Sequence, residues 1–187
     1  MATGTFIKSA LLGAGMALVF SGGAMATSAV DIFAALTKPT GTALGTGPSY
    51  SIDAIKGNQK IRAEMPSIDI AGIRFASGKA ELSEADMAGV ADIAMALKEI
   101  LSVRPFDVFL VEGHTDATGS AASNLKISAA RAEAVAAALI GRFGIPAPAI
   151  AVAGYGEEFL LVKTKKSDAR NRRVTIRRVT DLLDPLK

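Results

Sequence analysis

Cysteine is absent from this 187-residue chain. That absence excludes a disulfide framework, a thiolate metal site, a thiol nucleophile and an N-terminal cysteine for lipid attachment. Histidine occurs once, as His114, so no second imidazole exists for a zinc site or a His-x-x-x-His helix pair. Tryptophan is missing and tyrosine scarce, while half the residues are hydrophobic and alanine is abundant, which predicts helices packed through small side chains onto a sheet. A large charge imbalance is lacking too: the net charge is +3, too small at this length to imply nucleic acid by itself. There is no G-x-x-x-x-G-K-S/T, no G-x-G-x-x-G and no G-x-S-x-G, so phosphate cradles and a hydrolase elbow have no support. The length suits one core with an appendage.

Charge is scarcest at the start. Lys8 is the only charged side chain of the first thirty residues, and ALLGAGMALVF leads to the small-residue triplet Ala24, Met25, Ala26. Residues 1–26 read as a secretory signal peptide cleaved after Ala26. The competing reading keeps the uncharged run from Ser9 to Val30 as an anchor in a bilayer of about 30 Å. Either way the remainder is exported. Residues 27–67, rich in Thr, Gly, Pro and Ser, read as a mostly irregular linker, and residues 181–187 as a tail.

Between them the periodicities alternate. IDIAGIRFA, Ile68 to Ala76, predicts a strand. Ser83 and Asp86 make an S-x-x-D start for a helix whose stripe is Met87, Val90, Ala94, Leu97 and Leu101. FDVFLVEG, Phe106 to Gly113, predicts a strand buried on both faces, with Asp107 at its exposed start. A second helix is expected over Ile127 to Phe143, stopped by Gly144 and Pro146. AIAVAGYG and RRVTIRRV supply two more strands.

The residues with chemistry gather where the second strand meets the second helix. Asp116 lies in the glycine-punctuated loop after that strand, and Arg131 shares a helix face with Val135, Ala138 and Leu139. A buried guanidinium needs a partner or a route to solvent, so either Asp116 and Arg131 close the loop as a structural ion pair, or each is reserved for a ligand. A guanidinium grips a carboxylate and a carboxylate accepts from an ammonium, so the ligand reading selects a zwitterion. Asn124 either caps the helix or presents its amide to the same place. Thr115 and Thr118 are loop hydroxyls, and Gly113 and Gly119 permit tight backbone geometry. His114 with Asp116 and a serine lacks any recognisable catalytic context. The basic segment of residues 163–178 has no aromatic interleaving, which disfavours single-stranded nucleic acid.

These same residues carry a resemblance. EGHTD at residues 112–116, IS-x-x-RA-x-x-V-x-x-x-L at 127–139, GYGE at 154–157 and NRRV at 171–174 are similar to the OmpA-like peptidoglycan-binding domain, over Ile68 to Val179 of a domain at residues 68–180. The resemblance implies an α+β fold: a βαβαββ two-layer sandwich whose mixed sheet carries helices on one face. It implies a periplasmic binding module, not an enzyme, without cofactor or metal. Such a module holds peptidoglycan noncovalently through the diaminopimelate of its stem peptides and tethers the envelope to the wall. By motif position Asp116 takes the ligand's ammonium and Arg131 its carboxylate. Asn124 and Thr115 lie beside them, and Arg172 or Arg173 shapes the rim. Gly78 stands where many members carry Asn, leaving only backbone groups for contact. The N-terminal part is too short for the family's eight-stranded barrel. A retained N-terminal anchor would make the chain an inner-membrane tether facing the periplasm or a stator-like scaffold; a wall hydrolase built on His114 is the remaining alternative.

Overall fold

The computed structural model describes residues 28–40, 49–73, 75–76 and 78–183, so the expected signal peptide, most of the alternative anchor and the end of the tail lie outside the described residues. The elements are α1 (Ala29–Leu36), α2 (Ile52–Gly57), α3 (Gln59–Ala63), β1 (Ser67–Ile70), α4 (Glu84–Val103), β2 (Phe109–Gly113), α5 (Ala121–Gly141), β3 (Ile150–Gly154) and β4 (Val174–Arg178). From β1 onward the succession is strand, helix, strand, helix, strand, strand, as the periodicities predict. Among the described residues no helix is long and apolar enough to cross a membrane.

Helix α4 starts on a reciprocal cap. The Asp86 N–H donates to Ser83 Oγ at 3.2 Å, and the Ser83 N–H donates to Asp86 Oδ2 at 2.9 Å. Its apolar stripe buries Val90, Ala94 and Leu97 as expected, widened by Ile93 and Ile100. Helix α5 begins at Ala121 on the Ser120 cap, earlier than its apolar period suggests, because its first turns are exposed apart from Asn124 and carry no apolar period. It ends where the Ile145 N–H returns to the Leu139 carbonyl at 3.0 Å.

The sheet order is β1-β4-β2-β3, with β2 and β3 parallel and the other pairs antiparallel. Strand β2 is buried along its whole length. Phe109 and Val111 face a core shared with α1, α4 and α5, while Leu110 faces a second cluster with Ile55, Met65, Val179 and Leu182. Both faces of β2 are therefore covered, the second by residues 50–65 and 179–183.

Three expectations change. Where residues 27–67 suggest mostly irregular chain, the described residues form three short helices. Ser28 caps α1 reciprocally with Asp31, and Ile32 and Leu36, one turn apart, are fully buried in the main core. Burying a side chain of this kind contributes about 1.5–3 kcal/mol, enough to hold a helix of two turns. The expected tail also begins inside the fold, because Leu182 is buried and Asp181 pairs with Arg178 at 2.8 Å. Asp107 is buried, not exposed: it lies 3.6 Å from the buried Arg178 guanidinium, whose charge requires compensation, and Phe106 takes the exposed position instead.

What positions α5 is a pair of glycines. Gly113 on β2 and Gly154 on β3 are direct partners in the parallel register. A methyl group on Gly113 would come within 2.8 Å of the Ser128 carbonyl carbon, and one on Gly154 within 2.6 Å of Ala129 Cα. The helix backbone rests on the strand ends with no room for a side chain. Gly113→Ala and Gly154→Ala are each expected to destabilise the fold by about 1–3 kcal/mol or more, read as a lowered urea midpoint by far-ultraviolet circular dichroism. An unchanged midpoint in both would show that α5 does not need this contact.

Candidate functional site

Successive buried residues of α5 form one face. Asn124, Ser128 and Arg131 lie toward its N-terminal end, followed by Val135 and Leu139 in the core. Ser128 Oγ donates to the Leu125 carbonyl at 2.8 Å and accepts the Gly156 N–H at 2.8 Å. Gly156 in turn accepts the Thr115 N–H at 2.8 Å. The turn after β3, the loop after β2 and the start of α5 are thereby stitched together. This is the structural content of the GYGE stretch.

The result is a cavity of about 450 Å³ lined by Gly78, Thr115, Asp116, Asn124, Arg131 and Arg172, with Phe75 and Ile127 as apolar walls. Six of the seven expected residues are brought together. Arg173 is not among them: it turns away, donating to Asp69 Oδ1 at 3.1 Å and the Phe159 carbonyl at 3.2 Å.

Asp116 and Arg131 do not pair with each other. Asp116 Oδ1 accepts from the Thr118 N–H at 3.2 Å and from the Thr118 hydroxyl, and Oδ2 accepts from Ser167 Oγ at 2.9 Å and Arg172 Nη1 at 2.7 Å. Burial pushes this carboxyl upward, but the bonds from Thr118, Arg172 and Ser167 outweigh it and hold the pKa at about 2. Arg131 neither snorkels nor meets a carboxylate. Its Nε donates to the Lys79 carbonyl at 2.9 Å and its Nη2 to the Ala76 carbonyl at 3.2 Å, with the Phe75 ring 5.1 Å away. Those bonds use the side edge of the guanidinium and leave its end-on edge without a partner among the described residues. Burial, reinforced by the charge of Arg172, lowers the Arg131 pKa from its ordinary value.

Asn124 is not the helix cap, a role Ser120 fills. Its amide nitrogen donates to the Asp116 carbonyl at 3.3 Å and Glu157 Oε2 at 2.5 Å. Thr115 Oγ1 is buried without a hydrogen-bond partner among the described residues. Gly78 has φ of 69° and open space where a side chain would stand. Phe75, Ile127 and Ser167 escape sequence reasoning, since nothing in their local pattern marks a pocket wall. His114 lies elsewhere, buried against Glu112 and stacked on Tyr155, and does not line this cavity.

The arginines of the C-terminal basic segment are paired within the chain. Arg170 pairs with Asp168, Arg172 with Asp116, Arg173 with Asp69, Arg177 with Glu112, and Arg178 with Asp107 and Asp181.

Residues 74–174 match the OmpA family. The chain is 34% identical over 147 residues to "Probable lipoprotein YiaD" of Escherichia coli, covering 71% of this chain and 65% of that one. It is 32% identical over 104 residues to "Outer membrane porin F" of Pseudomonas aeruginosa, covering 54% of this chain but only 29% of the porin. Among solved structures, the cell wall anchor of the type VI secretion system from Pseudomonas aeruginosa is similar with a TM-score of 0.50 at 29% identity, covering 60% of this chain and 79% of that one. The periplasmic domain of Helicobacter pylori MotB shares the fold, with a TM-score of 0.50 at 19% identity over 60% of this chain and 73% of that one.

The depressed Asp116 pKa has a defined sign. The stability from its hydrogen bonds is fully present above the unfolded carboxyl value of about 3.9 and is lost as the pH falls through the folded value. Arg172→Ala is expected to raise the Asp116 pKa toward the ordinary range, measured by carboxyl carbon NMR titration. An unmoved value would mean that Thr118 and Ser167 suffice to hold the charge.

Proposed function

Because the chain belongs to the OmpA family, we propose that it binds peptidoglycan noncovalently through the diaminopimelate of its stem peptides and holds the cell envelope to the wall from the periplasm. The observation that carries this reading is one cavity offering an ionised Asp116 and the unpartnered end-on edge of Arg131, kept apart by separate sets of bonds. A ligand with an ammonium and a carboxylate on the same carbon satisfies both poles at once. The likeness to a protein described as a cell wall anchor supports the same direction.

The mode of entry follows from the bond inventory. Each Asp116 oxygen already accepts two hydrogen bonds, so an arriving ammonium displaces a donor. Arg172 is the cheapest to displace because its side chain is 37% exposed and flexible. It leaves Oδ2 to the ammonium and moves toward the rim. Arg131 stays, braced by the carbonyls of Ala76 and Lys79, so its free edge is pre-set for a carboxylate. Charge-assisted bonds of this kind contribute about 1.5–3 kcal/mol each, so retention depends on the high local density of repeating wall peptides. The site binds and releases without covalent chemistry.

The test is co-sedimentation of the purified protein with isolated sacculi. Asp116→Ala and Arg131→Ala are each expected to weaken binding about tenfold or more, and Arg172→Ala less, since it removes a competitor of the ammonium along with a rim charge. Unimpaired sedimentation of both the Asp116 and Arg131 variants would sink the assignment. Free diaminopimelate should compete, and its carboxylate-amidated form should not.

Gly78 offers a second test. Asparagine tolerates a positive φ and the position is open, so Gly78→Asn is expected to fold normally and add an amide to the cavity wall. Tighter sedimentation is the expected outcome; unchanged affinity would place this position outside ligand reach.

A further inference from the structure

On the sheet face covered by α3, a second cavity of about 130 Å³ is lined by Gln59, Arg62, Glu112, His114, Arg173 and Arg177, with Phe159 at its side. It shares no lining residue with the Asp116 cavity. Its charges do not balance. Three guanidinium groups line it against one carboxylate, Glu112, which Arg177 grips at 2.8 and 3.2 Å. Arg62 lies 3.4 Å from the same carboxylate, too poorly directed to be a hydrogen bond, and Arg173 has Asp69 as its own counter-ion.

The donors do not balance either. Among the described residues, Arg62 Nε, Arg173 Nη1 and both ring nitrogens of His114 are buried without a hydrogen-bond partner, His114 Nε2 standing 3.7 Å from Glu112 Oε2. Arg62 is 4% exposed and His114 is 2% exposed. An orphaned buried N–H on a charged group is costly, and Arg62 and Arg173 each carry one into this small space with its surplus of positive charge. Burial lowers the His114 pKa and so favours the neutral ring, which adds a single N–H to theirs. The Arg62 guanidinium cannot swing out to water, because it is held 4.0 Å from the Tyr155 ring centre and 4.5 Å from that of Phe159, with Nη1 donating to the Lys56 carbonyl at 2.7 Å.

We propose that this cavity is a binding site for a small inorganic anion of single charge, held by Arg62, Arg173 and the His114 ring. The anion neutralises the excess guanidinium charge and accepts the orphaned N–H groups. Its size limits it to a halide or a small oxyanion, and it locks residues 59–63 against β2 and β4. The proposal does not rest on the peptidoglycan reading, since the two cavities are separate.

His114 is the only histidine in the chain, so its ring nitrogens give unambiguous NMR signals. The full protein is titrated at fixed pH with sodium chloride, and separately with sodium nitrate, each replacing sodium gluconate at constant ionic strength, because gluconate is too large for the cavity. A saturable shift of the His114 ring signals is expected with at least one of the two salts. Arg62→Gln, and independently Arg173→Gln, should weaken the response about tenfold, with amide spectra verifying the fold. If one variant fails to fold, the other decides. No saturable response in the wild-type protein, or a response equally strong in every folded variant, overturns the proposal and leaves the cavity to water.

Discussion

The approach of α5 to the ends of β2 and β3 is the constraint on which the rest of the structure depends. Gly113 and Gly154 sit side by side in the sheet and leave no volume for a side chain beneath Ser128 and Ala129. With the helix seated there, Ser128 reaches the Gly156 turn, Asn124 reaches Glu157 and the carbonyl of Asp116, and Arg131 reaches the carbonyls of Ala76 and Lys79. A single close contact thus sets the place of every polar group on the helix face. Interiors this tightly packed transmit a small displacement directly to the site.

The same seating keeps the two charges of the site apart. Had Asp116 and Arg131 closed on each other, a ligand would have to break an ion pair buried on both sides, whereas the Arg172 side of the existing pair is part-exposed. Instead each has its own support: hydroxyl groups and Arg172 for the carboxylate, backbone carbonyls and the Phe75 ring for the guanidinium. Separated poles in one cavity suit the proposed zwitterion: the braced guanidinium needs little reorganisation, and on the carboxylate side only the part-exposed Arg172 has to give way. The arginines after residue 169 serve the opposite purpose. Most are drawn into pairs with carboxylates from β1, β2 and the loops, so the arginines of this basic segment are largely internal wiring.

Much of this was legible in the sequence because it is local. The Ser83–Asp86 cap, the stripe from Val90 to Leu97, the unbroken apolar run of β2 and the stop at Gly144 each follow from spacing within a turn or two. The loop carrying Asp116 and the face carrying Arg131 could be named for the same reason. Less legible were the start of α5, where exposed turns give no apolar period, the short β1, which pairs with β4 before the chain turns at Ala71, and helix α1, whose length is too small for periodicity to stand out.

Partnership, by contrast, belonged to the tertiary structure alone. Which cation Asp116 takes is decided between Arg131, fifteen residues away, and Arg172, fifty-six residues away; distance along the chain favours the first and the fold chooses the second. Arg172 and Arg173 are neighbours with the same chemistry, yet one enters the cavity and the other crosses to Asp69, because successive residues leading into β4 point to opposite sides. Spacing and side-chain type therefore determined the elements and the candidate groups. Pairing, burial and the free edge of Arg131 came only with the folded chain, since a charge chooses its partner by distance and desolvation in space, and neither is written in local order.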